Sequence, residues 1–306
     1  MRYRNLALFL VLAFVWGSAF TAIKAGLAYF PPVLFAAVRY DVAGVLMLAY
    51  ALVATDRWRP RTRGEWWLVG VGALLMIGGY HALLFVGEQH TTSAAAAVVV
   101  GLSPVATTAF ARVLLPDERL SAVGGLGMLV GFAGVVVVAR PDPANLFGGD
   151  ALGEWLVFGA ALSFALGSVL ARRSDADLPI ETMEAWSMLG GALAMHAASV
   201  AVGERVADVR LVPEALAALA YLAVVASALG FLVYFDLLDR LGPVEINLVS
   251  YAAPVAAAVT GFLLLGEVPS AWTGVGFLAV FGGFVLVKRD AVAREVTRLR
   301  DARRRT

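Results

Sequence analysis

The sequence predicts an all-α integral membrane protein: ten transmembrane helices arranged as two inverted five-helix repeats. Three observations carry this. Hydrophobic residues make up 60% of the 306-residue chain and charged residues only 15%, against about 25% charged in soluble domains. Roughly ten runs are long and apolar enough to cross a hydrocarbon core, which takes about 20 residues at helical rise. The stretch from Thr92 to Arg140 is also written twice.

The first copy reads TSAAAAVVVGLSPVATTAFARVLLPDERLSAVGGLGMLVGFAGVVVVAR, and the second, from Pro243, PVEINLVSYAAPVAAAVTGFLLLGEVPSAWTGVGFLAVFGGFVLVKR. Pro104 matches Pro254 and, one residue of spacing later, Glu118 matches Glu267. Ser121, Gly125, Gly127, Phe132 and Arg140 then fall on Ser270, Gly274, Gly276, Phe281 and Arg289. Each copy is an apolar segment with a central proline, a short break carrying Glu, and a glycine-rich apolar segment. Self-similarity on this scale is a duplication of about half the chain rather than a short solenoid repeat.

In chain order the apolar runs lie at 6–24, 32–54, 66–87, 93–115, 121–139, 153–171, 182–203, 215–238, 244–265 and 270–288. They are continuous, without the period of two that marks a membrane barrel strand, and helices satisfy their own backbone in lipid. The N-terminal MRYRN and its apolar run imitate a secretory signal, but the run is too long and reads as a retained first span. The longest break, RPDPANLFGGDAL, separates the halves. The expected division is a first repeat over 1–140, a linker over 141–152, a second repeat over 153–289 and a basic tail over 290–306. Cysteine is absent, so no disulfide framework or cysteine metal site exists.

Lys and Arg predict the orientation, because basic loops stay cytoplasmic. With the N-terminus inside, 19 of the 24 basic residues fall in inner segments, eight of them after Val287. The outer segments hold Lys24, Arg140, Arg205 and Arg210, and Arg39 lies within a span. An odd number of spans per half inverts the second half. Trp66 and Trp67 inside, and Trp155 and Trp272 outside, fit interfacial aromatic belts. The expected location is a multi-pass cell-membrane protein with both termini cytoplasmic.

The architecture resembles the drug/metabolite transporter superfamily, specifically its EamA-type ten-helix members. The residues that carry the resemblance are WGSAF with Lys24 in helix 1, PPVLFAAVRY in helix 2 and TSAAAAVVVGLSPV opening helix 4. The LPDE-to-LS break, its partner LGEVPS and the two glycine-rich closing helices match as well. The resemblance covers nearly the whole chain and implies transport, with export the expected direction, either proton-coupled or facilitated. It says nothing of the substrate, since members export amino acids, metabolites and drugs. Asp41 and His81 stand outside the family pattern.

Pro104 and Pro254 each lie about 12 residues, or roughly 17 Å, into their runs. A proline there frees the carbonyl four residues earlier, on Val100 and Ser250, and such breaks survive beside other helices or a watery cavity. They read either as hinges beside the transport pathway or as ordinary packing kinks. Arg39 is the most expensive residue to bury. Its counterpart is Ser187, so the charge is no requirement of the repeat. It reads as a cation facing a cavity, available to a substrate carboxylate or phosphate, or as a structural ion pair or snorkelling side chain. Asp41, two residues on, is turned about 200° away from it. A buried carboxyl with His81 or His196 at similar depth would make a proton relay, the alternative being satisfied core polar groups.

Trp16, Ser18, Tyr40, Tyr80, His81, Ser103, Trp186, Tyr234, Asn247 and Tyr251 are candidates, with Arg39, to line a substrate cavity of aromatic walls and a few polar groups. The small-residue ladders Gly127–Gly131 and Gly159–Ser163–Gly167 are expected to cement each five-helix bundle. Glu118 and Glu267 are expected to cap the helix that follows each. Val292, Val296 and Leu299 share one face of the tail among six arginines, which suits anionic inner-leaflet lipid or a solvated tail. Nothing points to nucleic acid.

The expected function is a secondary transporter exporting a small organic metabolite, amino acid or drug-like compound by alternating access. No GxxxxGK[ST] loop is present, so ATP is not its fuel and no cofactor is implied. The alternatives are an intramembrane enzyme using His81, His196 and buried acids, against which HExxH and GxSxG are absent, and a non-transporting receptor.

Overall fold

The computed structural model describes residues 2–115, 122–140, 151–241, 246, 248–287 and 289. Within them ten helical rods follow one another without a strand. They are α1 (Arg2–Gly26), α2 (Pro32–Ala54), α3 (Arg63–Glu88), α4 (Ser93–Leu114), α5 (Ala122–Ala139), α6 (Ala151–Arg172), α7 (Ile180–Ala201), α8 (213–241), α9 (Val249–Leu265) and α10 (Ala271–Val287). Seven are long and apolar enough to cross a membrane, while α9 and α10 are apolar but shorter. The remaining rod, α7, has 22 residues and carries Glu181, Glu184 and His196. Its polarity has a use described below.

The helix ends follow local chemistry. Proline opens α2 and α8 at the first helical position, where its missing N–H has no partner to lose. Thr62 and Glu65 form a reciprocal capping box at the start of α3, and Arg57 pairs with the Glu65 carboxylate. Thr92 caps α4 by accepting from the Ala95 N–H at 3.2 Å. Ser270 caps α10 by accepting from the Thr273 N–H at 3.1 Å. Gly266, at φ +68°, ends α9 in the left-handed region.

Helix contacts come in pairs that exchange when five is added to each number. α1 packs on α9 as α6 packs on α4; α3 packs on α6 as α8 packs on α1; α2 pairs with α7, and α5 with α10. The α5–α10 crossing fixes the symmetry. A methyl group added at Gly127 would sit 2.7 Å from the Gly283 carbonyl oxygen, and one at Gly134 would sit 2.8 Å from that of Gly276. Gly276 and Gly283 stand 149 residues after Gly127 and Gly134 respectively, so swapping the halves turns each contact into the other. Numbering rises along one helix as it falls along its partner. The rotation axis is therefore perpendicular to the helices, in the plane of the membrane, and the repeats are inverted.

This corrects the expectation for the small-residue ladders. Gly127 and Gly134 bind α5 to α10 of the other half, while a methyl at Gly167 would meet Met76 and one at Gly79 would meet Ser163. Gly131 keeps the expected role, since a methyl there would meet Leu102 of its own half at 2.8 Å; the other ladder positions join the two halves, where backbones come closest. Gly134→Val is expected to lower stability by about 2–3 kcal/mol through overpacking. An unchanged thermal midpoint of the purified variant would show that the crossing widens freely.

Two features lie beyond the sequence reading. α3 winds as a π-helix over Gly72–Gly79 and α8 does so over Tyr221–Leu229. α4 is interrupted at Gly101 and Leu102, just before Pro104, whereas α9 runs through Pro254 unbroken. The break in α4 abuts the matching region of α9, with the Gly101 Cβ position 3.5 Å from the Ser250 carbonyl oxygen.

Candidate functional site

The two π segments build the site. They occupy the third helix of each half and begin 149 residues apart, so the duplication carries them both. Such i→i+5 segments recur at functional positions because they free carbonyls and re-aim side chains. Ile77 and Ala226 occupy equivalent places, again 149 apart, and each carbonyl accepts from an aromatic ring N–H. His81 Nδ1 donates to Ile77 O at 2.9 Å, and Trp16 Nε1 donates to Ala226 O at 3.1 Å. Because Nδ1 must donate to a carbonyl, a neutral His81 leaves Nε2 as acceptor for the Tyr40 hydroxyl, 2.7 Å away. Both nitrogens of His81 are thereby committed.

Arg39 lies one residue before Tyr40 on α2 and is only 5% exposed. Its Nε donates to Ser227 Oγ of the second π segment at 3.0 Å. The guanidinium carbon lies 5.1 Å from the Tyr40 ring centre and 5.9 Å from that of Phe85. Among the described residues no carboxylate comes within 4 Å of it, and neither terminal nitrogen has a hydrogen-bond partner. Its burial removes the snorkelling alternative, and the missing carboxylate removes the structural ion pair. One hydroxyl and two ring faces offset part of the desolvation cost, and the terminal N–H groups remain free.

Around it stand α1 and the lower part of α8. The Ser18 and Tyr221 hydroxyls meet at 2.6 Å. The half-buried Trp16 ring packs against Tyr234 at 5.3 Å and Phe231 at 5.8 Å. The half-buried Tyr80 ring stands edge-on to His81 at 4.5 Å and near Phe164 at 5.5 Å. Glu184, on the buried face of α7, is within Coulombic reach of Tyr40 and Tyr234 and hydrogen-bonds to none of the described residues. A buried guanidinium and a buried carboxyl thus flank one aromatic-walled region, and neither neutralises the other by contact.

One end of the bundle is closed by a polar network. Lys24 Nζ donates to the carbonyls of Glu88, Thr91 and Gln89 at 2.6, 2.9 and 3.3 Å. Thr91 Oγ1 donates to Glu154 of α6 at 2.6 Å, and the Ser93 N–H donates to Glu267 at 3.0 Å. At the same end Glu204 accepts from the Val33 and Leu34 N–H groups at 3.0 and 2.8 Å. Arg210 bonds the Ala28 carbonyl.

Comparison with known proteins agrees with this architecture. The EamA-like transporter family matches residues 4–140 and again 151–289. The chain belongs to the EamA-like transporter family. Its relatives include YedA, an inner membrane transporter of Escherichia coli (strain K12), 30% identical over 287 residues, covering 91% of this chain and 90% of YedA. The transporter YvbV of Bacillus subtilis (strain 168) is 26% identical over 294 residues, covering 95% and 94%. A WAT1-related chloroplastic protein of Arabidopsis thaliana is 28% identical over 280 residues, covering 90% of this chain and 67% of its own. One solved crystal structure superposes with a TM-score of 0.65 at 24% identity, covering 97% of this chain and 99% of that one, a likeness of fold. The chain is accordingly a membrane transporter of this family, set in a lipid bilayer.

In this EamA-like transporter the remaining candidates are placed as follows. Trp186 lies apart from Arg39: its Nε1 donates to the Trp58 carbonyl at 2.9 Å. It lines an open surface depression of about 510 Å³ with Trp58, Arg59, Pro60, Arg61 and Trp66. It is the second turn of α7 that carries it there, away from the central aromatic cluster. Tyr251 is buried against Phe281 and Phe284, and its hydroxyl has no partner among the described residues. Ser103 donates to the Val100 carbonyl at 2.7 Å, taking up the oxygen that Pro104 displaces. Asn247, Glu118, residues 141–150 of the linker and the basic tail lie outside the described residues, while 151 and 152 already belong to α6.

Asp41 meets His196, at 2.7 Å, rather than His81. The pair is partly exposed on the α2–α7 surface, beside the outward-facing Val42, Val45 and Leu46. A relay through Asp41 and His81 has no contact behind it, because the helical turn that hides Arg39 points Asp41 away from the core. Glu267 does not cap the helix after it. It reaches back to Ser93 at the start of α4, in the other half, while Ser270 caps α10.

The functional residues missed from the sequence are Ser227, Tyr221, Glu184 and Glu88. For the two acids a signal existed, since an ionisable residue inside an apolar run is a candidate by default. For Ser227 and Tyr221 none did.

Proposed function

We propose that this transporter moves a small organic molecule bearing an anionic group, by alternating access between its two inverted halves. The observation that carries the reading is Arg39: a buried guanidinium with no acidic partner in contact and its terminal N–H groups free. Such a fork suits a carboxylate or phosphate. Glu184, within electrostatic reach of Tyr40 and Tyr234, suits a cationic group on the same molecule. Trp16, Tyr80, Phe231 and Tyr234 suit an apolar body between the two. Export is the direction the family resemblance implies, and the basic-loop bias supports cytoplasmic termini in the cell membrane, with 1–140 and 153–289 as the moving halves.

The enzyme reading lacks a free histidine: both nitrogens of His81 are engaged, and His196 is paired with Asp41 away from the aromatic cluster. The decisive experiment is flux of labelled compounds from proteoliposomes containing the purified protein, using matched carboxylates, phosphates, zwitterions and neutral analogues. Flux of the anion-bearing compounds alone is expected. Flux of the neutral analogues alone would overturn the Arg39 assignment, and chemical turnover without flux would revive the enzyme.

Pro104 and Pro254 act in this reading as hinges. The break at Gly101, with Ser103 holding the Val100 carbonyl, supports bending in α4 most directly. Pro104→Ala and Pro254→Ala are expected to fold and to transport more slowly, Pro104→Ala the more so because its helix is already open. Normal rates in both variants would reduce the prolines to tolerated kinks.

A further inference from the structure

We propose that Glu88 is a proton-binding site, occupied whenever the α3–α4 end of the bundle is closed and emptied when that end opens. The inference rests on the alternating-access reading above and adds a chemical ligand to it. Glu88 is the last residue of α3. It is fully buried, and both carboxyl oxygens are sealed from solvent without a hydrogen-bond partner. An ionised carboxylate in that position would have lost its water and gained no donor in return.

The groups facing it from the packed elements do not supply the missing charge by contact. Lys24 of α1 directs its ammonium to three backbone carbonyls, those of Glu88, Gln89 and Thr91. Arg39 of α2 lies within electrostatic reach but donates to Ser227. Neither cation is within 4 Å of the Glu88 carboxyl. Glu267, holding the Ser93 N–H, and the Tyr80 hydroxyl of α3 are also within electrostatic reach, and neither is a cation; Glu154 of α6 holds the nearby Thr91 hydroxyl. A neutral carboxylic acid is the form that fits this packing.

The elements around Glu88 come from both halves: α1 and the α3–α4 turn from the first, α6 and the α9–α10 turn from the second. Alternating access at this end must part them. When they part, water reaches the carboxyl, its O–H bond breaks heterolytically, and the proton leaves to water with a carboxylate left behind. On closing, the carboxylate takes a proton back from water. One proton exchanged per opening makes the open-to-closed ratio rise by as much as tenfold per pH unit where the open form is ionised.

The natural absence of cysteine permits a direct test. Ser93 is fully buried beside the network and its hydroxyl is bonded to nothing among the described residues, so Ser93→Cys reports opening with little disturbance. The rate of maleimide labelling is measured across the neutral pH range in detergent, in the Ser93→Cys protein with Glu88 and with Glu88→Gln. The ratio of the two rates cancels the pH dependence of the thiol. It is expected to climb with pH, Glu88→Gln staying protected throughout. A ratio that is flat or falls with pH overturns the proposal.

Should Glu88→Gln fail to fold, infrared spectroscopy of the protein with Glu88 intact decides. A slowly exchanging protonated-carboxyl band is required, and its absence overturns the proposal. Flux in proteoliposomes alongside a flat labelling ratio would sink Glu88 and leave the transporter reading standing. Loss of flux for every compound tried would sink the latter instead.

Discussion

Arg39→Gln is expected to weaken substrate binding by about 2–5 kcal/mol, the penalty for removing one partner of a buried charge pair. The substrate-free protein is expected to be as stable as before, or more so. The free protein buries this guanidinium at 5% exposure with one hydroxyl and two ring faces for company, and no contact with an acid is lost when it goes. Gln keeps a donor near Ser227 and discards the desolvated charge. Arg39→Lys keeps the charge but gives up the planar fork and its stacking on Tyr40, so its affinity should fall between the other two. A structural role predicts the opposite pattern: poor expression and low thermal midpoints in both variants, with normal affinity in whatever protein survives. Thermal stability and affinity measured on the same two variants separate these outcomes. Normal affinity in Arg39→Gln would remove Arg39 from the site.

The inverted repeat was legible because duplication leaves its register in the sequence. The offset of 149 that aligns Glu118 with Glu267 also aligns Gly127 with Gly276, Ile77 with Ala226 and the starts of the two π segments. Arg39 stood out for a related reason: an ionisable group in an apolar run announces its cost whatever the tertiary structure. What the sequence could not disclose is which neighbour each polar group finds. GALLMIGG and YLAVVASAL carry no local mark of i→i+5 winding, yet that winding presents the Ile77 and Ala226 carbonyls and Ser227 to the site.

Depth along a helix could be counted, but rotation relative to other helices could not. Depth alone therefore offers Asp41 both His81 and His196, and the fold gives it His196. Glu267 shows the same limit. Its position in a turn was plain, but the backbone N–H it satisfies belongs to Ser93, 174 residues away in the chain. Burial of Glu184 followed the same logic, since a helix polar by composition can still direct one acid inward.

Lys24→Met is expected to lower stability by about 2–3 kcal/mol. The ammonium satisfies carbonyls at the C-terminal end of α3 and in the turn after it. There the backbone has no intrahelical donors left and the helix dipole favours a cation. Methionine keeps much of the apolar stem and loses all three donors. The side chain is only half-buried, so water replaces part of what is lost and the effect stays below the sum of three charged hydrogen bonds.

The same variant bears on Glu88. If Glu88 is a neutral acid in the closed form, Lys24 has little charge to attract there. The stability losses of Lys24→Met and Glu88→Gln should then couple by no more than about 1 kcal/mol in the double variant, the small coupling of neighbours that share a backbone contact. If Glu88 were instead an ionised partner of Lys24, each single variant would leave an uncompensated charge, and the double variant would recover a large part of that loss. Thermal or denaturant unfolding of the four proteins in one detergent measures the coupling. A coupling well above 1 kcal/mol would replace the bound proton with a salt bridge across the α1–α3 end.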